Sequence, residues 1–78
     1  MIVDGSADVR SALGESVTRG GLLLAGTAIS ERTASAKFES YRPHVVVIDL
    51  VSREVGGRTL LANLRQRGEP LGFVLLVE

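Results

Sequence analysis

The sequence predicts a small α/β domain built on a parallel sheet with helices on both of its faces. Short apolar runs alternate along the chain with longer segments in which apolar residues recur at helical spacing. This alternation gives the order β-α-β-α-β-α-β, which favours parallel strands joined by crossover helices. One run, residues 45–48, consists of β-branched residues only, which is typical of a strand buried on both faces.

The first strand and the first helix are predicted at the start of the chain. Residues 1–4 begin with an apolar run that stops at Asp4. Ser6 is placed to cap the helix that follows. Gly20-Gly21 end this helix, because glycine readily adopts the left-handed conformation. The inward stripe of the helix is predicted to be Val9, Ala12, Leu13, Ser16 and Val17.

The second strand and the second helix follow. The strand begins with residues 22–25 and extends to about Ala28. Ser30 caps the second helix, and Pro43 prevents that helix from continuing. The inward positions of this helix are predicted to be Ala34, Phe38 and Tyr41.

The central strand, residues 44–49, ends at Asp49, and the functional interpretation depends on this carboxylate. In an open parallel sheet, ligands and chemistry lie at the carboxyl ends of the strands. Asp4 ends the first strand at the same edge, so we expect the two carboxylates to converge there. A structural interpretation stays open for both, because Asp49 can begin a turn and Asp4 can cap the following helix. His44 is interpreted as a structural or solvent-facing residue.

The last part of the chain is predicted to hold a loop, a third helix and a fourth strand. Residues 50–57 show no regular pattern and end in two glycines, which indicates a loop at the functional edge. The third helix ends at Arg67-Gly68, and its arginines are interpreted as a solvated helix end. Residues 73–77 form the fourth strand. The apolar stripe of the third helix is Leu60, Leu61 and Leu64.

Composition and charge exclude several classes of protein. The chain has 78 residues, 45% of them hydrophobic, which is enough for one small domain with a modest core. Its formal net charge is zero and its arginines are scattered, so we expect no direct contact with nucleic acid. It has no cysteine, which excludes disulfides and thiolate metal sites. No apolar run approaches the roughly 20 residues of a membrane span and no signal-peptide pattern is present, so we expect a cytoplasmic location without membrane contact.

Three motifs stand at fixed separations along the chain. They are Ile2-Val3-Asp4-Gly5-Ser6 with Val9-Arg10 after it, the run from Tyr41-Arg42-Pro43 through Asp49-Leu50, and Gly57, eight residues past Asp49. Receiver domains of two-component response regulators commonly show a V-D-D-x opening, a P-D strand of aliphatic residues ending in D, and a D-x-x-M-P-x-x-x-G loop. The whole chain therefore resembles a receiver domain of the CheY-like superfamily, and it matches only the earlier part of one, up to the fourth strand.

The resemblance implies both a fold and a function. The fold is a truncated flavodoxin-like (CheY-like) three-layer sandwich with a parallel sheet of order 2-1-3-4, in which residues 1–78 form a partial receiver-like domain. Asp49 matches the phosphoacceptor of bacterial two-component phosphorelays, which takes its phosphoryl group from a histidine kinase or a phosphotransfer protein. Mg²⁺ is the implied cofactor, and its implied ligands are Asp4, Asp49 and the backbone carbonyl of Val51. We expect a signalling protein without enzyme activity of its own.

The chain departs from the receiver pattern at several positions. Gly5 stands where a second acid is usual, Ser52-Arg53 replace the usual Met-Pro pair, and Glu78 lies near the position of a Thr or Ser. The fifth strand with its lysine and the last two helices have no counterpart in these 78 residues, and Lys37 lies in the second helix. We therefore expect a partly degenerate site with weak or lost Mg²⁺ binding. The alternative is a phosphorylation-independent pseudo-receiver that acts as a protein-interaction module. A fragment of a small-ligand α/β enzyme ranks last, because no cofactor motif is present.

The composition of the fourth strand, residues 73–77, predicts how the isolated chain associates. It is apolar and uncharged, and no predicted strand lies beyond it in the sheet. An open apolar edge favours pairing with another chain, and the sheet face that carries only the first helix is expected to be poorly covered. We therefore expect the isolated chain to self-associate or to fold only loosely.

Overall fold

The structure is a computed structural model that describes residues 1–77, and its architecture is a parallel sheet with three helices. The sheet has the order β2-β1-β3-β4, which confirms the predicted α/β fold class and its order 2-1-3-4. Within the described residues, none of the helices has the length and apolar content needed to cross a membrane. The strands are β1 (Ile2–Val3), β2 (Thr27–Ala28), β3 (Val45–Asp49) and β4 (Gly72–Leu76). The helices are α1 (Ala7–Arg19), α2 (Glu31–Tyr41) and α3 (Gly57–Gln66).

The helix ends follow the polar and glycine signals of the sequence. The Ser6 hydroxyl accepts a hydrogen bond from a backbone N–H of the first turn of α1 at 3.2 Å. Ser30 and Thr33 form a capping box at the start of α2. After α1, Gly21 takes the left-handed conformation with φ of 83°, and after α2, Arg42 does so with φ of 45°. The predicted caps and helix ends are confirmed.

The main core lies between the sheet and the helix pair of α2 and α3. The inward positions predicted for these two helices are confirmed, with Tyr41 and Leu61 partly buried at the margin of the core. Among the described residues, no α1 side chain belongs to this buried cluster. Its members are Met1, Val3, Ala28, Ala34, Phe38, Val46, Ile48, Val55, Leu60 and Leu64.

The face that α1 turns to the sheet coincides only in part with the predicted stripe. Of the predicted stripe, only Leu13 and Val17 are half-buried. The one buried position of α1 is Gly14, where an added Cβ would come within 3.3 Å of the Leu24 side chain. Because glycine permits this close approach, the inward face is centred near Gly14 and the prediction was wrong in part. The exposed members of the predicted stripe are Val9, Ala12 and Ser16.

β2 is much shorter than the predicted strand of residues 22–28. The register pairs Ile2 of β1 with Thr27 of β2. By this register, residues 22–25 precede the part of the chain that pairs with β1, and they are irregular. The Leu22 N–H donates instead to the Val17 carbonyl of α1 at 3.1 Å. Leu23 in this segment is 94% exposed. The prediction of a strand here was wrong, because a strand at a sheet edge persists only as far as its neighbour does.

β3 is buried on one face and half-covered on the other. Val46 and Ile48 are fully buried against α2 and α3, whereas Val45 is 46% exposed. The prediction of burial on both faces was therefore wrong for one face, because the main core uses only the other. We call the surface formed by Val45, Val47 and Val74, which lies on the side of the sheet opposite the main core, the α1 face. It lines one side of a groove of about 450 Å³.

Two close contacts hold α2 in place at its C-terminal end. The Tyr41 ring packs on Gly26, where an added Cβ would lie 2.2 Å from ring carbon Cε2. The Arg67 guanidinium lies 4.8 Å from the centre of the Phe38 ring and pairs with Glu39. The hydrogen bond and the charge of Arg67 lower the pKa of the Glu39 carboxyl. Arg67 thus links the C-terminal end of α3 to α2. The sequence predicted only a solvated helix end for this arginine and did not predict this contact.

Candidate functional site

Two buried carboxylates lie side by side at the C-terminal edge of the sheet. The register pairs Val3 of β1 with Ile48 of β3, so Asp4 and Asp49 occupy the next position on neighbouring strands. Neighbouring strands lie about 4.8 Å apart, which places the two residues within reach of one ligand. Asp4 is 6% exposed and Asp49 is 5% exposed. The structure therefore brings these two predicted site residues together.

Each carboxylate uses one oxygen to hold the turn that follows it. Asp4 Oδ1 accepts a hydrogen bond from the Ser6 N–H at 2.8 Å. Asp49 Oδ1 accepts one from the Val51 N–H at 2.8 Å and a longer one from the Ser52 N–H at 3.4 Å. No described residue donates to either Oδ2, and no buried side-chain oxygen or nitrogen among them lacks a partner, so both Oδ2 atoms reach solvent. The turn-forming role left open by the sequence is thus observed for both, and one oxygen of each stays free for chemistry.

Arg10 contacts the backbone of the site rather than a carboxylate. Its Nη1 donates a hydrogen bond of 2.7 Å to the backbone carbonyl of Asp4. This contact holds the end of β1 against the first turns of α1. Sequence reasoning gave Arg10 no role, although Arg10 belongs to the first motif and stands one residue after the predicted stripe position Val9.

The loop after β3 is anchored by a buried valine. A short 3-10 turn, Arg53–Val55, lies within the segment predicted to be irregular. Val55 is buried in the core and its Cγ2 lies 3.4 Å from the position of a Cβ built on Gly5. The loop therefore packs onto the turn after β1 without the proline that receivers commonly carry there.

Gly57 brings α3 directly against the backbone of Asp49. A Cβ at Gly57 would lie 2.1 Å from the Asp49 carbonyl oxygen and 2.8 Å from Ile48 Cγ2. Only a residue without a side chain can begin α3 at this place. The glycine of the third motif is thus a packing residue of the site.

Three other residues of the sequence interpretation lie away from the two carboxylates. His44 is exposed at the opposite end of β3, where its carbonyl accepts a hydrogen bond from the Gly72 N–H. Lys37 lies in α2, and its Nζ donates to the Thr27 carbonyl at 3.0 Å. Glu78, near the position of the receiver Thr or Ser, lies outside the described residues.

The carboxylate and carbonyl oxygens at the C-terminal edge of the sheet are of the kind that binds Mg²⁺, but there are few of them. Mg²⁺ prefers carboxylate, carbonyl and water oxygens, and it is often bound through one or two carboxylates. Asp4, Asp49 and the carbonyl of Val51 would supply such ligands. No three His, Asp or Glu side chains come together anywhere in residues 1–77, so the rest of the coordination would be left to water. When bound, the ion would neutralise negative charge on a phosphoryl group at this edge.

Restoring an acid at position 5 is expected to strengthen Mg²⁺ binding. A Cβ at Gly5 meets its nearest neighbour at 3.4 Å, an ordinary contact, so Gly5→Asp is expected to fold normally. The added carboxylate raises the number of acids at the site from two to three, and we expect Mg²⁺ to bind clearly more tightly. Isothermal titration with Mg²⁺ measures the effect, and Gly5→Asn, which adds the same bulk without charge, is the control. Equal Mg²⁺ affinity of Gly5→Asp and the parent chain would contradict the assignment.

Comparison with known proteins identifies two relatives. No protein-family model matches the chain. A protein-glutamate methylesterase/protein-glutamine glutaminase of Treponema denticola is 35% identical over 77 residues, which are 97% of this chain and 21% of that protein. The chemotaxis protein CheY of Thermotoga maritima is 33% identical over 57 residues, which are 73% of this chain and 48% of that protein. The chain thus spans less than half the length of each of these curated relatives.

Proposed function

The chain belongs to the CheY-like receiver domains of response regulators, and from this we propose that Asp49 is its phosphoacceptor in a bacterial two-component phosphorelay. The donor is the phosphohistidine of a histidine kinase or a phosphotransfer protein in the cytoplasm. The chain acts as the receiving partner and not as an enzyme. The observation that supports this most is the adjacency of Asp4 and Asp49, both buried, at the edge where chemistry is expected.

The free oxygen of Asp49 is the proposed nucleophile. Oδ1 is held by the backbone N–H groups of the following turn, which fixes the orientation of the carboxylate. Oδ2 forms a bond to phosphorus while the N–P bond of the phosphohistidine breaks, and the imidazole nitrogen keeps the electron pair. The product is an acyl phosphate on Asp49. Fixing the nucleophile in this way lowers the entropic cost of bringing the two groups together.

Phosphoryl transfer to Asp49 requires positive charge at the site, and the described residues supply little of it. Both the nucleophile and the phosphoryl group are anionic, so the reaction needs cations that offset their repulsion. Asp4, Asp49 and the Val51 carbonyl are the proposed Mg²⁺ ligands, and Arg10 holds the backbone of Asp4. Gly5 contributes no carboxylate, which supports a partly degenerate site.

Because Gly5 supplies no carboxylate, a second candidate function, that of a pseudo-receiver, is also favoured. A pseudo-receiver needs the fold and its surfaces but neither the metal nor the phosphoryl group. In that case the chain acts as a protein-interaction module whose partner binds equally well whether or not Asp49 is phosphorylated. Binding of a partner that is unaffected by Asp49→Asn would favour this function over the first.

Prolonged incubation with a small phosphodonor tests the proposed phosphoacceptor. Radiolabelled acetyl phosphate with Mg²⁺ is expected to label the chain slowly, and hydroxylamine is expected to release the label because it cleaves acyl phosphates. Asp49→Asn should abolish the label, whereas Asp8→Asn, which changes an exposed acid on α1, should leave it unchanged. Label that persists in Asp49→Asn, or no label even in Gly5→Asp, would refute the proposal.

A further inference from the structure

Asp4 is followed by a glycine, which is true of no other aspartate in the sequence. The carboxyl group of an aspartate can be attacked by the backbone nitrogen of the next residue, and this attack closes a five-membered succinimide ring. Glycine favours the reaction because it has no Cβ to hinder the approach and few limits on its backbone angles. The Asp4-Gly5 peptide is therefore a candidate site for a change in the main chain itself.

The backbone nitrogens that follow the three aspartates differ in their hydrogen bonds. After Asp8, the Val9 N–H donates to the Ser6 hydroxyl at 3.2 Å. After Asp49, the Leu50 N–H donates to a carbonyl of β4 at 3.0 Å. The nitrogen after Asp4 is exposed, and its N–H has no acceptor among residues 1–77. Of the three nitrogens, only this one is free to react.

The Asp4 carboxyl is held in a position that favours the attack. Its Oδ1 accepts a hydrogen bond from the Ser6 N–H at 2.8 Å. Because Ser6 lies two residues ahead, this bond folds the side chain back over the Gly5 nitrogen. Negative charge develops on Oδ1 as the ring closes, and the same N–H stabilises that charge. Oδ2 reaches solvent, so water can supply the proton that its departure needs.

Arg10 and the open packing around Gly5 also favour ring closure. Arg10 Nη1 donates to the Asp4 carbonyl at 2.7 Å, and this carbonyl belongs to the same peptide as the Gly5 nitrogen. A charged donor there draws electron density from the nitrogen and makes its proton easier to remove. A Cβ built on Gly5 meets its nearest neighbour only at 3.4 Å, so this peptide has room to rotate.

We propose that Asp4-Gly5 is a site of spontaneous isomerisation, at which the folded chain slowly converts Asp4 to isoaspartate. A bond forms between the Gly5 nitrogen and Asp4 Cγ while the bond from Cγ to Oδ2 breaks. Oδ2 leaves as water, with the amide proton and one proton from solvent. Water then opens the succinimide, and its attack on the former backbone carbonyl carbon gives isoaspartate. The reaction needs no oxidant, metal or second protein.

Isomerisation would disrupt the arrangement of the two carboxylates at the edge of the sheet. In isoaspartate the main chain runs through Cγ, which makes the link between β1 and α1 one carbon longer. The free carboxylate is then attached directly to Cα and no longer lies over the Gly5 nitrogen. Mg²⁺ demands near-ideal ligand geometry, so its binding would weaken. This last consequence rests on the proposed function, whereas the isomerisation itself does not.

Storage of the folded chain at physiological temperature for several weeks tests the proposal. Trypsin then releases residues 1–10, a peptide that contains both Asp4 and Asp8. We expect isoaspartate at position 4 and none at position 8, where the next residue is a branched valine with a bonded N–H. Methylation by a protein-isoaspartate methyltransferase measures the amount, and electron-transfer fragmentation gives the position. The succinimide should appear as the loss of one water.

Three variants show whether the reaction depends on Gly5. Gly5→Ala is expected to fold, because the added Cβ makes an ordinary contact and φ is not positive, and it should form much less isoaspartate. Gly20→Ala removes a different glycine and should isomerise like the parent chain. Asp4→Asn should react faster through the same ring, since ammonia leaves more readily than water, and it verifies the detection of isoaspartate.

Circular dichroism before and after storage verifies that each chain stays folded. A folded parent chain that contains no isoaspartate at position 4 after storage would overturn the proposal. The same holds if Gly5→Ala isomerises as fast as the parent. Titration of the fresh chain with Mg²⁺ tests the metal site separately, so failure of the proposed function and failure of the isomerisation are distinguishable.

Discussion

Replacing Gly57 with alanine is expected to destabilise the fold by about 3 kcal/mol. The added methyl group would lie 2.1 Å from the Asp49 carbonyl oxygen and 2.8 Å from Ile48 Cγ2. The nearest atom belongs to the backbone of the central strand, so no side-chain rotation relieves the overlap. α3 must shift away from β3, and the packing of Leu60 and Leu64 is then disturbed. In a domain of this size, such a loss is a large part of the total stability.

Urea unfolding followed by circular dichroism measures the effect, and Gly20→Ala is the matched control. At Gly20 an added Cβ would meet its nearest atom, the Ser16 carbonyl oxygen, at an ordinary 3.4 Å, and φ is −75°. This substitution is expected to leave stability unchanged or to raise it by about 0.5 kcal/mol. Equal midpoints for Gly57→Ala and the parent chain would show that α3 does not begin against β3 as described.

When residues 1–78 are assayed alone, phosphorylation of Asp49 by a small donor is expected to be about 10⁴-fold slower than in a complete receiver. Two groups that stabilise the transferring charge in receivers have no counterpart among the described residues, and each such group is worth a factor of about 10². Complete receivers are similar in fold but place a Thr or Ser and a Lys against the phosphoryl group. The one lysine among the described residues is Lys37 of α2. Its amine donates a hydrogen bond to the backbone carbonyl of Thr27 in β2, so it is not available to Asp49.

The time course of radiolabel incorporation with Mg²⁺ and acetyl phosphate measures this rate, with the intact Thermotoga maritima CheY as the reference. Gly5→Asp is expected to raise the rate through tighter metal binding, without reaching that of the reference. Labelling of the parent chain at the reference rate would mean that another group of this chain supplies the missing charge.

The sheet order and the meeting of Asp4 and Asp49 could be predicted because they depend on local signals and general topology. An apolar run that stops at an acid marks a strand end, and parallel strands joined by crossovers bring such ends to one edge. The caps at Ser6 and Ser30 could be predicted for a similar reason, since a cap needs only the residues of one helix turn.

The errors concern features that depend on distant parts of the chain. The length of β2 depends on how far β1 extends beside it, which the composition of residues 22–25 does not show. The inward face of α1 depends on the close approach at Gly14, because a glycine adds no apolar residue to a helical pattern. The hydrogen bond from Arg10 to Asp4 likewise exists only once α1 has docked on the sheet.

The packing of Tyr41 on Gly26 gives this protein an intrinsic optical probe. The chain has one tyrosine and no tryptophan, so its tyrosine fluorescence comes from a single ring and is not quenched by transfer to an indole. That ring lies where the C-terminal end of α2 meets the segment before β2, at the end of the sheet opposite Asp49. Its emission therefore reports the docking of α2 without an attached dye, and it is remote from chemistry at the carboxylates.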